Sequence, residues 1–156
     1  MQERGIYDYE SLKQITDSAA DRMTELGASI KAKEKRLGEI RALKTHIINY
    51  AKTRDVYVEY RKSGYSKKFF EEHRQEITIH KAAKQAFDEA QITKLPSTQS
   101  LYEEFHRLTV QKKQDYAEYR KIRKEKEELL IAKQTVENIL NIDKKKEQEQ
   151  EKNSVR

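Results

Sequence analysis

The chain has no cysteine, and its 156 residues include only one proline and four glycines. The absence of cysteine excludes disulfides, zinc–thiolate sites and a thiol nucleophile, and it fits a reducing, cytoplasmic setting. With so little proline and glycine, almost nothing punctuates regular structure, and the composition favours long helices. Only 35% of the residues are hydrophobic against 38% charged, and mean hydropathy is -1.08. That supply is too small for a thick core, so burial is expected along narrow seams of an elongated, soluble chain. No stretch approaches the roughly 20 apolar residues of a membrane span. The opening MQERGIYDYE lacks the apolar centre of a secretory signal.

Charge of one sign is also scarce over most of the chain. The formal net charge is +6, from 33 Lys and Arg against 27 Asp and Glu, and the signs are mixed nearly everywhere. Residues 44–68 are the exception, with seven basic residues (Lys44, Lys52, Arg54, Arg61, Lys62, Lys67, Lys68) against two acids (Asp55, Glu59). This segment therefore holds +5 of the total.

Apolar residues recur at alternating steps of three and four in two long stretches. From about residue 8 to 62 the series is Leu12, Ala19, Met23, Leu26, Ile30, Leu37, Ile40, Ile47 and Ala51, interrupted in phase by Thr16, Lys33 and Lys44. From about 98 to 142 it is Leu101, Phe105, Leu108, Tyr119, Ile122, Leu129, Val136 and Leu140, interrupted by Lys112, Asp115, Lys126 and Lys133. Both are heptad seams. Between them, Gly64 is a helix stop and Ser66 a cap for the next helix. Phe69, Phe70, Ile77, Ala83, Ala86 and Phe87 then predict a helical tip over about 66–90, broken near His73 to Glu76. Ser97, Thr98 and Ser100, after the only proline, are candidate caps for the second long helix.

The fold expected is all-α: an elongated antiparallel coiled-coil hairpin of two long helices with a small helical cap at the tip, residues 1–142 forming one domain. Facing the seams with the cap as the turn puts Lys44 near Asp115 and Ile40 near Tyr119. Residues 143–156 hold one apolar side chain in the last thirteen and are expected to be a charged, flexible tail. A hairpin that satisfies its own seam predicts a monomer or weak homodimer.

Catalytic signatures are missing. His46, His73, His80 and His106 are scattered, and the seven-residue separation of His73 and His80 is a poor spacing for shared metal ligation. There is no glycine-rich phosphate loop and no nucleophile elbow. Pairs such as Lys121 with Glu125, Arg123 with Glu127 and Lys124 with Glu128 read as one-turn ion pairs on solvated helix faces. The expectation is a chain that is not an enzyme and takes no metal or cofactor.

The segment YRKSGYSKKFF, residues 60–70, interleaves four basic residues with four aromatics around Gly64. Lys and Arg among rings can hold phosphates while the rings stack on bases. The competing reading makes the rings a structural core: Phe69, Phe70 and Phe87 fill the cap, while Tyr57, Tyr60 and Tyr65 keep a polar end for water. The candidate DNA-binding residues are Lys52, Arg54, Arg61, Lys62, Tyr65, Lys67 and Lys68.

LKTHIINYAKTRDVYVEYRKSGYSKKFFEEH, residues 43–73, with HKAAKQAFDEAQITKLPS, residues 80–97, resembles the C-terminal helical region of relaxase/mobilisation nucleases (MobA-type) from conjugative or mobilisable elements of Gram-positive bacteria. The leading GIYDYESL, with Gly5, Tyr7 and Tyr9, is similar to the segment that enters that region, so the resemblance runs from about residue 5 to 142. Relaxases nick one DNA strand with a tyrosine nucleophile and a metal-binding histidine cluster in an N-terminal domain, and neither carries over to this chain. The resemblance implies a non-catalytic module in conjugative transfer: a scaffold for relaxosome or coupling proteins, with possible DNA contact through the basic tip. The alternative is a purely protein-binding or self-associating coiled coil with no DNA contact.

Overall fold

A computed structural model describes residues 2–154, with side chains from Tyr9 onward; Gly5 and Tyr7 of the entry segment lie outside the described side chains. The described residues are helical with no strand. They form α1 (Gln2–Lys62), α2 (Lys67–Glu72), α3 (Arg74–Glu89) and α4 (Thr98–Ser154). The chain divides into two units, Met1–Lys31 with Lys112–Arg156, and Ala32–Gln111.

In the first unit the outer turns of α1 and α4 run antiparallel. Tyr9 donates to Glu137 (2.7 Å), Arg22 holds Glu118 through Nε (2.9 Å) and Nη2 (3.1 Å), and Ser29 donates to Asp115 (2.9 Å). Partner numbers fall along α4 as they rise along α1, which defines the direction. Leu26 and Ile30 are buried between them. Thr16 is buried as well, and its hydroxyl donates to the Leu12 carbonyl one turn back (2.7 Å), so that hydroxyl is not left unmet in the seam.

Asp115 thus lies against Ser29, and the expected pairing with Lys44 is corrected by fifteen positions along α1. The physical reason lies in the second unit. After Ile40 the buried stripe of α1 leaves the heptad phase: Lys44 and Ala51 are exposed while Thr53 and Tyr60 are buried. An α-helix of 3.6 residues per turn drifts about 20° per heptad against a 3.5 repeat. The drift turns the last twenty residues of α1 toward α3 rather than α4. Beyond residue 142, α4 continues to Ser154 with residues 141–154 exposed. Lys, Glu and Gln are strong helix formers, and an existing helix extends without a new nucleation cost.

The second unit holds the end of α1, α2, α3 and the start of α4. Its core is Leu37, Ile40, Tyr60, Ile77, Ala83, Phe87 and Leu101. Helix α1 stops in a Schellman turn: Tyr65 N–H donates to the Tyr60 carbonyl (3.1 Å), Gly64 N–H to Arg61 (3.1 Å), and Gly64 adopts φ +71°. Helix α3 stops in the same way, with Ile92 N–H to Phe87 (2.9 Å) and Gln91 N–H to Asp88 (3.1 Å). Here the left-handed residue is Gln91, at φ +57°. Ser66 caps α2 by accepting from Phe69 N–H (3.4 Å), His73 separates α2 from α3, and Ser97 accepts from Ser100 N–H (3.1 Å) at the start of α4.

Candidate nucleic-acid interface

An aromatic ladder within the second unit positions the tip. The His80 ring is stacked between Tyr50 and Tyr57, with centroids 4.5 and 4.3 Å away. Its Nδ1 lies 2.9 Å from Thr53 Oγ1, and the Thr53 hydroxyl donates to the Asn49 carbonyl (2.7 Å). That chain of donors requires the tautomer with hydrogen on Nδ1. Burial, reinforced by the Lys84 ammonium, pushes the His80 pKa below its ordinary value and favours the neutral ring. Phe87 meets Tyr50 edge-on at 5.6 Å.

Toward the turn, Tyr60 contacts Tyr65 (5.3 Å), Phe69 (6.1 Å) and Phe70 (6.0 Å), and the Lys81 ammonium sits over both Tyr60 (5.7 Å) and Phe70 (5.6 Å). Tyr60 is therefore a core residue, 8% exposed. One ring is large enough to seat α2, a helix of six residues that buries no residue of its own. Phe69, Phe70 and Tyr65 all contact that ring.

Tyr65 itself is 55% exposed and lies in the left-handed region at φ +58°, directly after Gly64. A non-glycine residue there costs on the order of 1 kcal/mol. The turn would close more cheaply with a smaller residue, so backbone geometry does not account for a tyrosine at this position.

The six basic candidates, Lys52, Arg54, Arg61, Lys62, Lys67 and Lys68, are all exposed. Among the described residues none of them makes a side-chain ion pair or hydrogen bond. Arg61, Lys62, Lys67 and Lys68 flank the turn within eight residues of chain, and Arg54 lies two helical turns before Arg61 on the same side. Lys52 is not brought into this group, because residues two apart on a helix point away from each other. Arg61 and Lys62 occupy the last turn of α1, where cations suit the helix dipole. Lys67 and Lys68 occupy the first turn of α2, which holds no acid and where the dipole disfavours cations. Helix stability does not account for that pair.

Two interhelical clamps escaped the sequence reading. In the first unit Arg22 grips Glu118 and also reaches Glu25 (3.2 Å). In the second, Arg36 grips Glu104 (2.7 and 3.2 Å) and reaches Glu39 (3.4 Å). The two arginines and the two α4 glutamates are each fourteen residues apart, or two heptads. The signal was present as Arg-x-x-Glu followed by Leu26 or Ile40, and as Glu followed by Tyr119 or Phe105.

Among the described residues no three His, Asp or Glu side chains are grouped so as to hold a metal ion, and no helix is long and apolar enough to cross a membrane. Compared with protein-family models, curated proteins and solved structures, the chain matches none.

Proposed function

We propose that this chain is a non-catalytic coiled-coil hairpin that contacts the phosphate backbone of DNA through the turn at Gly64 and scaffolds a larger assembly. The observation that carries the reading is the cluster of Arg61, Lys62, Lys67 and Lys68, exposed and without acidic partners, around the exposed Tyr65. Unpartnered cations attract a polyanion, and counterion release supplies most of the affinity. An exposed ring among them adds a platform for an unpaired base. The hairpin is supported by an antiparallel Arg–Glu clamp in each unit, considered separately.

Residues 43–73 and 80–97 resemble the helical region of relaxases, so the polyanion would be DNA near a transfer origin, and the assembly a relaxosome. Titration of labelled single- and double-stranded oligonucleotides across a salt series tests this. Engagement of about five phosphates predicts log K falling with log salt at a slope of roughly -3.5 to -4.5, the steeper for duplex. Tyr65→Ser should weaken binding to single strands more than to duplex. A salt-independent interaction, or none at low salt, overturns the proposal.

A second reading, a protein-binding coiled coil without DNA contact, is favoured by the apolar side chains that α4 leaves exposed, Ile131, Ile139 and Ile142. Under it, the basic cluster only solvates the turn.

A further inference from the structure

Helix α4 carries two heptad series. One, through Ile122, Leu129, Val136 and Leu140, is half-buried in the first unit. The other, Ile131, Thr135, Asn138 and Ile142, lies on the opposite side of the same helix, half a turn away at 3.6 residues per turn, and is exposed. At its centre are Ile131 and Ile142, 67% and 53% exposed, eleven residues or about 16 Å apart, with Ile139 beside them at 53%. Thr135 and Asn138 complete the central turns.

The charges that flank this stripe are ordered. One turn before Ile131 stand Glu127 and Glu128; one turn after Ile142 stand Lys145 and Lys146. A further turn out the signs reverse, with Lys124 on the N-terminal side and Glu149 on the C-terminal side. All six are exposed. Each residue has a counterpart equally far from the midpoint between Val136 and Glu137: Ile131 with Ile142, Glu128 with Lys145, Glu127 with Lys146, and Lys124 with Glu149. In these four pairs apolar matches apolar and each charged pair is of opposite sign, while Ile139 has Gln134 as its counterpart and lies at the edge of the stripe. The series ends at Lys121 and Lys152, a like-charged pair.

From this order we propose that the exposed face of α4 binds a second copy of the chain, antiparallel, about a two-fold axis through the midpoint of the stripe. A two-fold contact is isologous, so residue i meets j while j meets i, and this reversed charge order satisfies it. The parallel alternative stacks Glu128 on Glu128 and Lys145 on Lys145, which is repulsive. The only ion pair to be exchanged is Arg123 with Glu127 (3.6 Å), whose side chains are 63% and 66% exposed and hold little energy. The other side of α4 keeps its place against α1, so dimerisation leaves the first unit intact.

Sedimentation equilibrium of the full chain over a wide concentration range tests the proposal. The weight-average mass is expected to rise toward twice that of one chain. Ile131→Lys with Ile142→Lys should hold it at one chain with unchanged helical circular dichroism. Glu128→Lys alone and Lys145→Glu alone should each weaken association about tenfold, and the two together in one chain should restore it.

Direction is read from cross-linking, which is clean because the chain has no cysteine of its own. Ile131→Cys mixed with Ile142→Cys should give an oxidised dimer, and neither variant alone should do so. A single-chain mass at every concentration, self-association unaffected by the lysines, or Ile131→Cys cross-linking by itself would each overturn it.

Discussion

Replacing Thr53 by valine removes one oxygen from the most enclosed polar contact of the second unit. Thr53 is 6% exposed and His80 is 3% exposed. The hydroxyl gives its hydrogen to the Asn49 carbonyl and receives one from His80 Nδ1 at 2.9 Å, so Thr53→Val leaves the ring N–H without its partner. A buried donor left unmet costs about 1–3 kcal/mol, and the Tyr50 carbonyl nearby places the expected loss at about 1–2 kcal/mol. The reverse change is milder. In His80→Phe the Thr53 hydroxyl keeps its Asn49 carbonyl, and a ring still fills the slot between Tyr50 and Tyr57. The double variant should therefore be more stable than the sum of the singles by about 1 kcal/mol.

Urea unfolding followed by circular dichroism measures all four corners of that cycle. Additive losses, or a Thr53→Val loss under about 0.3 kcal/mol, would refute the reasoning.

Three other outcomes rest on the same geometry. Because the His80 pKa is lowered from 6.5, its contribution is complete above that value, and stability should fall as pH drops through it toward the folded pKa; the charge that faces the ring is Lys84, and His80→Phe should flatten this part of the pH profile. A methyl group at Gly38 meets nothing within 4 Å while Gln91 sits at φ +57°, so Gly38→Ala and Gln91→Gly should each stabilise by about 0.5–1 kcal/mol in thermal unfolding, one removing glycine and the other adding it. Arg36 holds the Glu104 carboxyl below its ordinary pKa, so Glu104→Gln should abolish a stability contribution present above pH 4.5 and lost on acidification, whereas Glu118→Gln, in a more exposed clamp, should cost less and depend more on salt.

Much of α4 was legible in its sequence. All twelve positions of the seam from Leu101 to Leu140, including Lys112, Asp115, Lys126 and Lys133, are buried or half-buried, because the long lysines can lie along a seam with their charge in water and Asp115 accepts from Ser29. Thr16 counted against burial as an interruption of the seam, yet it satisfies its hydroxyl on its own helix, as the buried Thr53 also does, which hydropathy does not register. The register was not legible, because it depends on how many turns of α1 the aromatic ladder claims for α3. Gly64 announced the end of α1, but Gln91 makes the same turn without glycine and left no comparable mark.

For the candidate site, the basic bias of residues 44–68 could be counted directly. The exposure of Tyr65 against the burial of Tyr60 could not, since both are tyrosines beside the same turn and only the packing of Phe69 and Phe70 distinguishes them.

The most direct test of the DNA-contact proposal compares two charge reversals of equal size by fluorescence anisotropy on DNA at low salt. One changes Arg61, Lys62, Lys67 and Lys68 to Glu; the other changes Lys13, Lys31, Lys35 and Lys113, also exposed. Net charge is identical in the two, so only placement differs. The account predicts that the first loses binding and about 3–4 units of salt slope while the second retains most of its affinity. Equal loss in both, or binding that survives the first, would contradict it.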